Sequence, residues 1–465
     1  MNTGKKDLGI NGITEGVIWK QLLLFFYPLL IGTFFETLYS TVDAIVVGQY
    51  AGKLALSAVG GSSAILINLI VGFFIGVSAG STVVIAQCFG AKDDEGVSRA
   101  VHSSVAIAVA GGAVISLFIL LVAPNLLEIM KTPAETLELS RTYLTVAGMG
   151  MIPVMIFNMC SGILRAIGDS KTPTYVLIVC CIINIGLDLL FVRGFGWSVA
   201  GTAAATIISQ TVSAAILIVI LMRDRGPCRL YLSRVRFYGA YVKKILFIGI
   251  PSGIRSTMYS ISNVFIQVGI NELGTNNVAA WTAYSKIDLI YWMIIMSMGT
   301  ALTTFAGQNF GAQKYNRIRK GIRQAGIMMV MATVAYNVIL LPVCGYIFRM
   351  FTSDTRVLEI SVQICRFMFP SFFLFVPIEL ISSALIGIGD SIAPTVMTTA
   401  GVCGTRILWL MLVLPVWHTM TSILTSYPLS WGITGIAFVF YYLLKVRSRL
   451  LNTPSVPAGE DGYTA

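Results

Sequence analysis

Two aspartates lie where a charge is expensive. Asp188 sits inside IINIGLDLLF (182–191), and Asp43 sits inside ETLYSTVDAIVVG (36–48). A bare carboxylate among such neighbours is costly unless it is neutralised, paired or wet. Polar residues recur at helical spacing around each. Glu36, Tyr39 and Asp43 fall at i, i+3 and i+7, on one helix face. Asn184 and Asp188 fall at i and i+4 on another, and Thr206 lies in the next apolar run. Two carboxylates facing one cavity with an amide and hydroxyls can hold a proton, or their oxygens can hold Na⁺. The bland alternative is that neighbouring helices merely satisfy each acid. Acids within apolar spans are functional by default, which favours the ion site.

These residues need apolar helices to position them, and composition supplies that setting. Apolar residues make up 56% of the 465-residue chain and charged residues 11%. An ordinary soluble domain is about 25% charged. The chain reads as an all-α polytopic membrane protein. Its net charge of +11 does not indicate a nucleic-acid partner, because the basic residues cluster in short loops between apolar runs. Of eight cysteines, several lie inside those runs, including Cys160, Cys180, Cys181 and Cys403, and no zinc or disulfide spacing is present. The N-terminus lacks a small-residue cleavage site, so we expect an uncleaved chain.

A span needs roughly 20 mostly apolar residues. That rule predicts twelve, near 20–48, 55–87, 99–123, 138–163, 172–193, 197–222, 243–271, 277–308, 322–349, 357–386, 393–414 and 431–446. The expected organisation is an N-terminal segment 1–19, a six-helix bundle 20–222, a basic linker 223–242, a second bundle 243–446 and a disordered tail 447–465. The basic stretches 223–244 and 314–323, and the C-terminal KVRSR, lie on one side. The positive-inside rule places them and both termini in the cytoplasm.

The halves repeat. QCFGA (87–91) echoes QNFGA (308–312), and GDSKTPT (168–174) echoes GDSIAPT (389–395), both offset by 221. WSVAG (197–201) echoes WGITG (431–435) at an offset of 234, which implies extra residues before the last span. Two six-span halves share one topology, a transporter design with an axis along the membrane normal.

Pro28 in the first span removes a backbone hydrogen bond and favours a kink, although spanning helices also tolerate proline with no further role. In the second half the repeat register puts Asn263 where the first has Asp43. That half carries Arg255, Lys286, Asp288, Arg366, Glu379 and Arg406, for which mutual pairing and a cavity-lining role are expected. GVSAG (76–80) matches a nucleophile elbow, but it lies in a small-residue helical run and reads as helix packing. No phosphate-binding loop, zinc motif or dinucleotide fingerprint appears.

At these residues the chain resembles the multidrug and toxic compound extrusion (MATE) transporters, over about residues 15–447. The resemblance rests on ETLYSTVDAIVVGQ, on AQCFGAK with GQNFGAQ, and on LRAIGDSKTPT with LIGIGDSIAPT. It implies a V-shaped pair of six-helix bundles and alternating access. It implies efflux of organic, often cationic, compounds in exchange for H⁺ or Na⁺, with no cofactor and no enzymatic activity. The family's bacterial cation site in the N-terminal bundle maps to Asp43, Asn184, Asp188 and Thr206, supported by Pro28, Glu36 and Tyr39. Its C-terminal acids would fall at Tyr259 and Phe375, which argues against a second site of that kind. We expect a monomer in the bacterial inner membrane, in contact with lipid and small organic substrates. Rival readings are a flippase for lipid-linked or polysaccharide precursors, an intramembrane enzyme at Ser78, and a channel.

Overall fold

The computed structural model describes residues 13–130, 132–350, 352 and 354–446, and every regular element among them is helical. The expected tail 447–465 and the first part of the N-terminal segment lie outside the described residues. The first half contains α1 (Ile18–Val46), α2 (Lys53–Gly60), α3 (Ser62–Gly90), α4 (Asp94–Ile129), α5 (Ala134–Met149), α6 (Met151–Ala166), α7 (Lys171–Asp188) and α8 (Ser198–Arg223). The second contains α9 (Gly239–Glu272), α10 (Thr275–Gly311), α11 (Tyr315–Arg349), α12 (Thr355–Ser371), α13 (Val376–Gly387), α14 (Ile392–Met397), α15 (Thr405–Leu412) and α16 (Met420–Tyr441).

These helices follow the twelve segments read from the sequence. Among the described residues ten helices are long and apolar enough to cross a membrane, or eleven with α5 and α6 as one span bent by 52°. The twelfth segment, α9, is 34 residues long, but Arg255 and its serine, threonine and asparagine residues lower its hydropathy. Several spans are broken where the sequence reading drew one helix. The α5–α6 break falls at Gly150, where a side chain would collide with Ile207. Residues 357–386 form α12, a 3₁₀ turn at Phe372–Leu374 and α13, with Pro370 inside the end of α12.

The last span differs most from expectation. It starts at Met420 rather than 431, so the inserted residues are its first turns. The Thr419 side chain caps it by accepting from the Ser422 amide. Thr425, Ser426 and Ser430 return their hydroxyls to the carbonyls of Thr421, Ile423 and Tyr427. Such bonds let hydroxyl residues sit in an apolar helix, and they hid this one from a hydropathy reading.

The described chain falls into two compact units. One comprises Phe25–Ile85 with Asp94–Asn263. There α4 packs on α6, α6 on α8, and α7 on α8. In the same unit α1 runs unbroken through Pro28, whose carbonyl accepts the Thr174 hydroxyl at 2.7 Å. GVSAG is packing, as expected: Gly76 and Gly80 meet the backbone of α9 at Gly253 and Gly249, and Ser78 donates to the Asn158 carbonyl.

The other unit gathers the residues up to Leu24, Ala86–Asp93, and the chain from Val264 on. Its long α10 packs on α11, α12 and α13. The QCFGA and QNFGA repeats meet here reciprocally. A side chain on Gly90 would stand 2.7 Å from the Gln308 carbonyl carbon, and one on Gly311 would stand 2.7 Å from that of Gln87. The glycines allow two helix ends to cross backbone to backbone.

Candidate functional site: a buried carboxylate pair on α1 and α7

Three helices of the first unit supply the site. Asp43 from α1, Asn184 and Asp188 from α7, and Thr206 from α8 come together, with the Asp43 carboxylate in reach of the other three. Asn184 is 1% exposed and Asp188 is fully buried. The predicted four residues are therefore brought to one place.

Their polar atoms are not satisfied by the protein. Outside the cluster itself, one carboxylate oxygen of Asp43, both of Asp188, both amide atoms of Asn184 and the Thr202 hydroxyl find no hydrogen-bond partner. Thr206 donates to the Thr202 carbonyl at 3.1 Å, which leaves its own oxygen lone pairs free. Native proteins rarely leave buried polar atoms alone, and a cluster of them calls for an explanation. Oxygen donors from two carboxylates, an amide and hydroxyls fit a hard monovalent cation or a shared proton. Among the described residues no group of three His, Cys, Asp or Glu gathers to hold a metal ion.

The backbone is unusual at both acids. Asp188 ends α7, and the chain continues as a π-helical segment, Leu189–Gly194. Four residues after Asp43, α1 passes into a second π-helical segment, Val47–Ala51. Such widened turns are frequent at functional sites. Apolar periodicity carries no signal for them.

The flanking residues differ in what they do. Tyr39 lies among Glu36, Asp43, Cys180 and Tyr143. Glu36 is not part of the buried cluster: its side chain is exposed and interacts with Arg165 from α6. Tyr143 on α5 faces both Asp43 and Asp188 and was not singled out in the sequence. Its only signal was an aromatic hydroxyl in a segment of mixed polarity, RTYLTVAG. Cys180 lies one turn before Asn184 on α7 and meets Ser209 and Ser213 of α8 in a polar seam.

The charges of the second half do not form one set. Arg255 belongs to the first unit. Lys286 and Arg366 are exposed and, among the described residues, take part in no ion pair. Asp288 accepts from Tyr284 Oη at 2.9 Å and Trp292 Nε1 at 2.8 Å, both one turn away on α10. Arg406 is buried, with its guanidinium 4.0 Å from the Tyr427 ring centroid and 5.4 Å from that of Trp431, and its Nε donates to Ser430. Asp288 and Arg406 interact electrostatically. Glu379 accepts from Ser383 at 2.8 Å and fills the space left by Gly299. Trp281, Tyr284 and Trp292 pack edge to face or tilted against Tyr427, Phe369 and Trp431.

The MatE family model matches residues 28–190 and 251–412, once in each half and together over more than half of the chain. The probable multidrug resistance protein YoeA of Bacillus subtilis is 28% identical over 416 residues, covering 88% of this chain and 89% of its own. The probable multidrug resistance protein NorM of Thermotoga maritima is 27% identical over 398 residues, covering 84% of each. In fold, the chain matches a MOP superfamily transporter from Pyrococcus furiosus, described as having a binding pocket of reversed polarity. The TM-score is 0.89 at 23% identity, over 97% of this chain and 100% of that one. With both halves matching one transporter model and the fold aligned along nearly its whole length, this chain belongs to the MatE family of membrane transporters and is not an enzyme.

Proposed function

We propose that the protein is a secondary antiporter that exports organic, often cationic, compounds in exchange for H⁺ or Na⁺. The observation that carries this reading is the cluster of buried polar atoms on Asp43, Asn184 and Asp188 that find no partner outside the cluster. The kinship with the probable multidrug resistance proteins YoeA and NorM supports multidrug export as the class of transport. The coupling ion occupies the oxygens of Asp43, Asn184, Asp188 and Thr206 and removes the cost of bare charge there. Without it the same atoms favour another arrangement of α1 and α7, so ion and substrate bias one equilibrium in opposite directions. Pro28 and its Thr174 bond set the geometry of α1 below Asp43, and Tyr39 and Glu36 complete that face. The protein works as a monomer in a bacterial inner membrane with both termini in the cytoplasm.

A second reading rests on Arg406. A buried guanidinium framed by aromatics suits an anionic headgroup, and that favours a flippase for lipid-linked or polysaccharide precursors. Reconstituted protein distinguishes the two. Na⁺ and pH gradients are imposed separately, and efflux of ethidium is followed. Export driven by one gradient alone supports antiport and names the ion. If neither gradient moves ethidium while labelled lipid-linked precursor crosses the bilayer, the flippase reading replaces it.

A further inference from the structure

The linker between the halves is a folded element rather than a tether. Cys228 and Leu230 are fully buried or nearly so, and the Leu230 amide donates to the Leu221 carbonyl at 3.0 Å. Two residues of α4 pin the chain from below. His102, itself buried, accepts the Tyr231 amide on Nε2 at 3.1 Å while its Nδ1 faces the Ser98 carbonyl. The buried Ser103 hydroxyl accepts the Tyr238 amide at 3.2 Å. Between these pins a 3₁₀ turn, Leu232–Arg234, projects outward.

What the linker presents is basic and free. Residues 223–244 contain seven basic side chains and one acid, Asp224. All seven are exposed, and among the described residues none of them enters an ion pair. Three guanidinium groups lie over tyrosine rings. Arg229 and Arg234 lie over the Tyr231 ring at 5.0 and 4.8 Å, and Arg236 lies over Tyr238 at 4.6 Å. With no ion pair of their own, guanidinium groups held there can offer paired N–H donors to phosphate. Beside them Leu232 and Phe237 are 57% and 59% exposed. A soluble anion has no use for exposed apolar side chains next to its arginines, whereas a lipid headgroup brings glycerol and acyl carbon with its phosphate. The surface joins the end of α8 to the start of α9.

We propose that the linker is a preformed binding surface for the phosphate headgroups of anionic phospholipids, held in shape by His102 and Ser103. Net charge alone satisfies the positive-inside rule and demands no fold. A pinned backbone with stacked arginines beside apolar side chains does more than orient the chain. The surface lies on the side that the proposed function places in the cytoplasm, but it does not depend on the coupling site, and its test reads lipid binding without transport.

Full-length protein in detergent is titrated with phosphatidylglycerol or phosphatidylcholine, and bound lipid is counted by native mass spectrometry. Wild type retains phosphatidylglycerol in preference. Each basic residue near a membrane contributes about fivefold in affinity, so R229Q/R234Q/R236Q weakens binding about a hundredfold. R229K/R234K/R236K, which keeps the charge, falls between that variant and wild type. His102→Ala keeps every charge and lowers retention by releasing the linker. Two results overturn the proposal. One is phosphatidylglycerol binding by the glutamine variant equal to wild type. The other is displacement of the lipid by glycerol 3-phosphate at equal concentration, which marks a soluble-anion site.

Discussion

Asp188→Asn is the substitution whose consequence is best defined by the site. It is nearly isosteric, and outside the Asp43 carboxylate both oxygens it alters lack a protein partner. No ion pair is broken, so the change does not strand an opposite charge, the usual cause of a severe loss on altering buried ions. The fold therefore survives. What disappears is half of the formal charge that holds the coupling ion. For wild type, saturating ion at a hundred times its dissociation constant stabilises the folded state by about 2.7 kcal/mol. Thermal unfolding in detergent, followed by tryptophan fluorescence, reads this directly: the wild-type midpoint rises with Na⁺ for a sodium-coupled protein, or with acidity for a proton-coupled one. In D188N that ion-dependent rise is abolished, and gradient-driven efflux falls about a hundredfold, the rate equivalent of the same energy. A D188N protein that keeps the wild-type ion-dependent midpoint, or exports at the wild-type rate, refutes the assignment.

Other predictions probe separate parts of the molecule. Gly90→Leu or Gly311→Leu forces apart the crossing of the two repeat motifs, costing about 3 kcal/mol or more. Gly186→Ala is the control: nothing lies within 4 Å of its would-be side chain, so helix propensity makes it neutral or stabilising by up to about 1 kcal/mol, and thermal midpoints compare the three. Burial, with a further contribution from Asp224 and Asp94, pushes the Cys228 thiol above its ordinary range. Maleimide therefore labels Cys228 slowly at neutral pH, and His102→Ala, which frees the linker, speeds labelling at least tenfold. Arg406→Lys keeps the charge but not the flat stacking surface over Tyr427 and Trp431, so it lowers thermal stability by about 1–2 kcal/mol.

Much of this was legible in the sequence because the membrane makes errors of polarity costly. Asp43, Asn184 and Asp188 stood out against apolar surroundings, and helical spacing put each on a definite face. The repeats named their own partners: QCFGA and QNFGA meet in the structure, although the sequence said only that they are alike. What stayed hidden depends on contacts between elements. Tyr143 is ordinary until α5 packs and turns it toward the two aspartates. The π-helical turns after Val46 and Asp188 come from packing that apolar periodicity does not encode. The early start of α16 was obscured because its serines and threonines satisfy themselves on their own backbone. Likewise the fold of the basic linker stayed hidden because His102, its anchor, lies in the sequence more than a hundred residues away.

The central claim is that one coupling ion sits on Asp43 and Asp188 and leaves as substrate enters. Purified protein in weakly buffered detergent, loaded with ²²Na⁺ and a pH indicator, reports both ions while ethidium is added. The account predicts release of one kind of ion in proportion to ethidium bound, and none from Asp43→Asn or Asp188→Asn protein. Ethidium bound with no ion released, or release unchanged in both variants, contradicts it.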